Sequence, residues 1–217
     1  MNKSNITPSK ILLIHTVMIL LMILFRILMT WELRHLHLSW NLFLAWIPLI
    51  VALTMQKQST HFTTPWSFRF VLLFVCWLLF FPNAPYLITD IVHLDKGYDW
   101  IMWYDIVLLF SAAFNGLVIG SYSFHKVFKI LLNFWSFRTS SVLMIFCVML
   151  GGYGVYLGRI LRWNSWDIFT HPVPLLTDTL SMIIDQMAIM MTAVFSSLII
   201  IVYYTFLILV QNERSTK

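Results

Sequence analysis

The sequence is short of charge. Nine of its 217 residues are Asp or Glu and fourteen are Lys or Arg, 11% in all. An ordinary soluble domain carries about 25%. Hydrophobic residues make up 60% of the chain, so too little polar material is left to cover a water-facing surface, and the solvent is expected to be lipid. Cysteine is scarce as well. Cys76 and Cys147 each sit inside an apolar run without a C-x-x-C partner, which excludes a disulfide framework and a cysteine zinc site and leaves two small buried hydrophobes. Familiar chemical motifs are missing too. There is no H-E-x-x-H helix, no G-x-S-x-G elbow, no G-x-x-x-x-G-K-[ST] loop and no G-x-G-x-x-G turn. Nucleotide-driven pumping by this chain alone is therefore not expected. The formal charge of +5 is spread thinly between apolar runs, so nucleic acid is not an expected partner.

What the chain does have is long apolar runs. About 20 residues at 1.5 Å each cross a bilayer. On that scale, crossings are expected near residues 11–30, 40–55, 66–81, 101–121, 140–157 and 187–210. The expected fold is all-α: one integral membrane domain over 1–217, a bundle of about six transmembrane helices with a short interfacial helix. No small-x-small site precedes Trp31, so the first helix is expected to be retained rather than cleaved. Pro48 should kink the second crossing. Arg26 either snorkels to the headgroups or pairs with an acid inside the bundle. His35 and His37 fall in a short segment, 31–38, expected to be a hydrated loop. Residues 125–138 read as a basic, amphipathic surface linker, and those from about 158 to 185 as a polar loop. Glycines at four-residue spacing, Gly116/Gly120 and Gly154/Gly158, are candidates for close helix contacts.

Six crossings place both termini on one side. Lys3, Lys10, Lys57, Arg69, Lys126, Lys129, Arg138, Arg214 and Lys217 fall on that side, against Arg34, Lys96, Arg159 and Arg162 on the other. The excess makes the terminal side cytoplasmic.

Two polar stretches interrupt the oil, and both are expected on the outer side. Residues 81–94 gather Pro82, Asn83, Pro85, Tyr86, Thr89, Asp90 and His93. If helical, the stretch is capped by Asn83 and places Leu87, Ile88, Ile91 and Leu94 on one stripe. Thr89, Asp90 and His93 then lie opposite. Such a helix lies on the membrane with its oily side down, or over the bundle mouth with its polar side inward. Residues 158–167 gather Gly158, Arg159, Arg162, Trp163, Asn164, Ser165, Trp166 and Asp167. Arg159 and Arg162 share a face if the fifth helix continues. Asn164 and Ser165 suit a turn.

Pro-Asn-Ala-Pro-Tyr-x-x-Thr-Asp-x-x-His-Leu (residues 82–94), Trp103-Tyr104-Asp105, and Gly-Arg-x-x-Arg-x-Asn-Ser-Trp-Asp (158–167) together resemble DUF1361, a family of bacterial multi-pass membrane proteins. The resemblance covers most of the chain and implies a fold and a place in the bacterial cell membrane. The family name denotes a domain of unknown function, so it brings no activity, cofactor or catalytic residue.

Three functions stay open. The outer cluster is structural, or binds a partner protein or a lipid headgroup through Tyr86, Arg159, Arg162, Asn164 and Trp166. Alternatively, Asp90, His93, Asp105 or Asp167 serve catalysis on a lipid-linked or phosphate-bearing substrate. A metal is conceivable at Asp90, His93, Asp167 and His171, although the spacing selects none. A small transporter would have to use His15, Asn115 and Asp105 at mid-membrane.

Overall fold

The computed structural model describes residues 7–33, 35–62, 64–94 and 100–215, without the side chains of 61 and 209–215. The described residues form helices and connections only. They are α1 (Pro8–Thr30), α2 (Leu36–Gln58), a 3₁₀ turn (Ser59–His61), α3 (Phe68–Phe80), α4 (Asn83–Tyr86), a 3₁₀ helix (Leu87–His93), α5 (Trp100–Leu131), α6 (Phe137–Arg159), α7 (Asp167–Thr170), α8 (Pro172–Ser181) and α9 (Gln186–Ser215). Among the described residues, six spans are long and apolar enough to cross a membrane. This is an all-α, multi-pass membrane bundle.

Local sequence explains the helix ends. Pro8 opens α1, where no intrahelical donor is lost. Ser136 starts α6 by accepting the Thr139 N–H at 3.3 Å. Asp185 does the same for α9 through Ala188 N–H, at 3.1 Å. α2 runs unbroken through Pro48. α3 has 13 residues, too few to span alone. Pro82 and Pro85 break its path, and the third span is completed by α4 and the 3₁₀ helix, over Phe68–His93.

α5 is the central element, packed on α1, α2, α4, the 3₁₀ helix, α6 and α9. α1 turns Leu12, Thr16, Ile19, Ile23 and Arg26 inward, a single seam at alternating spacings of four and three. Its other faces stay exposed and apolar, as lipid contact requires. Around Trp77, Phe81, Phe124, Cys147 and Tyr203, an aromatic core joins α3, α5, α6 and α9. A second core of Ile19, Ile23, Leu42, Leu87, Leu108 and Leu109 joins α1, α2, the 3₁₀ helix and α5.

Several expectations are corrected. The expected linker at 125–138 is in large part the continuation of α5, which buries Phe124, Val127 and Leu131. Those positions repeat at i, i+3 and i+7, so the stripe that looked surface-bound faces the core. The expected polar loop after 158 contains α7 and α8. α8 exposes Val173, Leu176 and Leu180 together on one face, in the manner of an interfacial helix. His35 is not in a hydrated loop: it is 1% exposed, and α2 begins beside it. Lys3, Arg34, Lys96 and Lys217 of the charge count lie outside the described residues.

The glycine pairs make close contacts, with the 82–87 segment as their partner. A Cβ on Gly116 would strike the Ala84 carbonyl oxygen and lie 2.6 Å from Leu87 Cδ1. A Cβ on Gly154 would strike Pro82 Cγ, and one on Gly158 would lie 3.2 Å from Tyr86 Cε2. The proline-rich segment is therefore clamped between α5 and α6, and this clamping positions the site.

Candidate functional site: an interfacial cavity and the polar cluster beside it

The two polar stretches meet at one end of the bundle. Ser165 Oγ donates to the Leu79 carbonyl at 3.0 Å. Asn83 Nδ2 donates to the Phe80 carbonyl at 2.9 Å and to Ser165 Oγ at 3.0 Å. Asn83 thus ties the two stretches together and makes no cap, contrary to expectation. Between them lies a cavity of about 310 Å³. Its apolar wall includes Leu44, Leu78, Leu150, Leu157 and Leu175, and its polar groups include Asn41, Asn83, Tyr86, Asn164 and Thr179. Pro82, Gly158, Trp163 and Ser165 line it as well, so both stretches contribute walls.

α8 closes one side through two hydrogen bonds. Trp163 Nε1 donates to Asp178 Oδ2 at 3.0 Å, and Tyr153 OH to the Thr179 carbonyl at 2.7 Å. Trp166 packs edge-on against Trp40, with ring centroids 6.1 Å apart.

Next to the cavity the polar side of the 3₁₀ helix turns into the bundle. Asp90 is 1% exposed, whereas Val92 is 76% exposed. Of the two orientations open from sequence, the structure adopts the one over the bundle mouth. Three residues per turn align Asp90 with His93. On α2, His37 and Asn41 are four apart and face them. Asn41 Nδ2 donates to Asp90 Oδ2 at 2.8 Å, and the His37 and His93 rings meet edge-on at 5.1 Å. Arg159, at the end of α6, reaches across, with Nη1 3.7 Å from Asp90 Oδ1 and Nη2 3.2 Å from His93 Nε2. Pro85 is buried, and Thr89 donates to the Tyr86 carbonyl at 2.7 Å, which stiffens the segment.

Asp105 lies deeper and is committed elsewhere. Arg26 holds it through a fork, Nε–Oδ1 at 2.8 Å and Nη2–Oδ2 at 3.2 Å. His35 Nε2 lies 3.1 Å from Oδ2. Arg26 also donates to Thr30 and sits 3.6 Å from Glu32. Arg26 is 3% exposed, so of its two readings, pairing in the bundle is the one realised, and snorkelling is not.

Arg162 and Arg159 do not share a face. α6 ends at Arg159, and Arg162 takes a left-handed conformation, φ 62°. The Trp163 N–H then returns to the Leu157 carbonyl at 3.1 Å, a closure glycine usually makes. Among the described residues Arg162 has no hydrogen bond or ion pair and is exposed. Arg162→Gly should therefore leave folding intact and raise stability by about 1 kcal/mol or less, measured as a small upward shift in Tm.

Asp167 is likewise held apart from Asp90. Its Oδ2 accepts from Asn164 N–H at 2.7 Å and from Asn164 Nδ2, and its Oδ1 accepts from Thr170. The Asn164 backbone bond holds its carboxyl below the usual carboxylate range. His171 contacts Thr170. Neither Asp167 nor His171 joins Asp90 and His93; the third member of that cluster is His37.

The mid-bundle polar groups form a local knot. Thr16 Oγ1 accepts from Asn115 Nδ2 at 2.7 Å and from Trp46 Nε1 at 3.0 Å. His15 packs edge-on against Phe114. Between this level and Asp105 lie Ile19, Ile23, Leu108 and Leu109, all buried. Within that layer Tyr104 OH donates to the Met22 carbonyl at 2.7 Å.

Fold and site together define a multi-pass helical membrane protein with a half-open cavity at the end of its bundle. The family model described as "Protein of unknown function (DUF1361)" matches residues 40–202, and the chain belongs to that family. The matched region contains both polar stretches and every wall of the cavity. No curated protein and no solved structure matches the chain.

Proposed function

We propose that the protein binds a membrane lipid or lipid-linked molecule, with its chain against the leucine wall of the cavity and its head among Asn41, Asn83 and Asn164. The observation that carries this reading is the cavity itself, about 310 Å³, lined by leucines together with the amides of Asn41, Asn83 and Asn164. That volume falls at the lower end of the range for small-molecule sites. Tyr86, Trp163 and Trp166 border the site, as aromatic rings do at headgroup level. Arg159, beside Asn41 and Gly158, supplies positive charge for a phosphate-bearing head.

The orientation belongs to the same reading. An excess of Lys and Arg on the terminal side supports both termini in the cytoplasm and the cavity at the outer face, and the family resemblance implies the bacterial cell membrane.

Leu175→Trp tests the reading. Leu175 reaches the cavity from α8, outside the main bundle core, so an indole there fills the space without opening the core. Lipid extracted from purified protein should contain a species bound in stoichiometric amount to wild type. That species should be lost from Leu175→Trp at unchanged Tm. Equal retention by the variant, or no such species in wild type, contradicts the proposal.

A further inference from the structure

We infer that His37, Asp90 and His93 form a binding site for a borderline divalent cation of the zinc type. One donor atom from each residue lies within 4.8 Å of the others. In a tetrahedral zinc site with bonds of about 2.0–2.1 Å, ligand atoms stand about 3.4 Å apart. The His93 side chain is exposed at the bundle end, and rotation of its ring brings its nitrogen in. The backbone already fixes the rest, since His37 sits on the first turn of α2 and Asp90 lies one 3₁₀ turn before His93. Two imidazoles with one carboxylate favour a borderline ion over calcium or magnesium, which take oxygen donors.

Two further observations point to a cation here. Asn41 Nδ2 holds Asp90 Oδ2 at 2.8 Å, which fixes the carboxylate and leaves Oδ1 facing Arg159 Nη1 at 3.7 Å. Outer hydrogen bonds of this kind orient metal ligands. Asp90 is also 1% exposed, and a carboxylate so buried requires a positive partner. Among the described residues the guanidinium that faces it is that of Arg159, whose Nη1 is 3.7 Å away, beyond hydrogen-bond reach, and whose side chain is 19% exposed. That guanidinium touches both Asp90 and His93 and so lies where a cation would bind. The ion takes over its role at Asp90, and Arg159 swings toward solvent.

The test uses full-length protein in detergent, purified through a tag without histidines. Zn²⁺ is titrated by calorimetry, and bound metal is counted after gel filtration. Wild type should bind a single saturable Zn²⁺. His37→Gln and His93→Gln should each weaken binding by about tenfold or more. Arg159→Gln should tighten it, because the competing charge is gone. His171→Gln should change nothing, and Leu175→Trp should leave zinc binding intact, so this site and the lipid reading stand or fall separately. The inference is overturned by absence of saturable binding, by an affinity that neither histidine variant moves, or by weaker binding in Arg159→Gln. Should the histidine variants not fold, Arg159→Gln decides alone: tighter binding sustains the site, and unchanged or weaker binding overturns it.

Discussion

Asp105→Ala will destabilise the protein by about 3–5 kcal/mol, the cost of stranding a buried charge. The acid is 1% exposed and holds a forked Arg26, itself 3% exposed, and His35 at 3.1 Å. Its removal leaves the buried guanidinium facing apolar neighbours on α5, with one acid, set largely in solvent, still near it. Glu32, the remaining acid near Arg26, is 3.6 Å away and largely in solvent. Thermal melts in detergent should show the loss directly. The pair also explains why α1 docks where it does, since its inward seam ends on Arg26. Replacing both charges, as Arg26→Leu with Asp105→Leu, should recover most of the loss, because a well-packed apolar pair avoids desolvating either ion. A double variant as unstable as the single one would mean that the network specifies packing beyond charge balance.

Gly116→Val will cost about 3 kcal/mol, at the upper end of what over-packing does. The first added carbon meets the Ala84 carbonyl oxygen and Leu87, one of them backbone held within the clamped segment. Neither can withdraw, because Pro82 and Tyr86 press on Gly154 and Gly158 from the other side. The effect should extend beyond stability. With α5 forced away, the 82–87 segment moves, the Asn83–Ser165 bond lengthens and the cavity changes shape. A Tm measurement together with the lipid assay should therefore show both falling. Lower stability with unchanged lipid retention would separate the clamp from the site.

The helical, membrane-embedded architecture was legible in the apolar runs, because a span of oil has few other solutions. That the two polar stretches lie at the same end of the bundle was legible too, since both break the runs on the same side, but their joining in one pocket was left open. Single positions were harder to place. Arg26 lies near the end of a run, and sequence cannot say whether an acid 79 residues away lies within its reach. His35 and His37 scored as polar, which started the second helix too late and hid the i, i+4 pairing of His37 with Asn41. That spacing was the available signal, and hydropathy alone conceals it. α8 escaped because a ten-residue amphipathic helix between acids resembles a loop, although Pro172 followed by Val173, Leu176 and Leu180 marks its start and face. Arg162 was paired with Arg159 on the assumption that α6 continues, and a non-glycine residue closing a helix in a left-handed turn gives no warning in sequence.

The central claim is that both stretches wall a single cavity that a lipid enters. It is tested most directly by photo-crosslinking in vesicles, with a diazirine carried on the lipid chain and adducts mapped by mass spectrometry. Adducts on cavity-facing Leu79, Leu157 and Leu175, lost when Leu175 becomes Trp, are the predicted result. Adducts confined to the outer belt, at residues such as Leu21, Phe43 and Ile145, would contradict it.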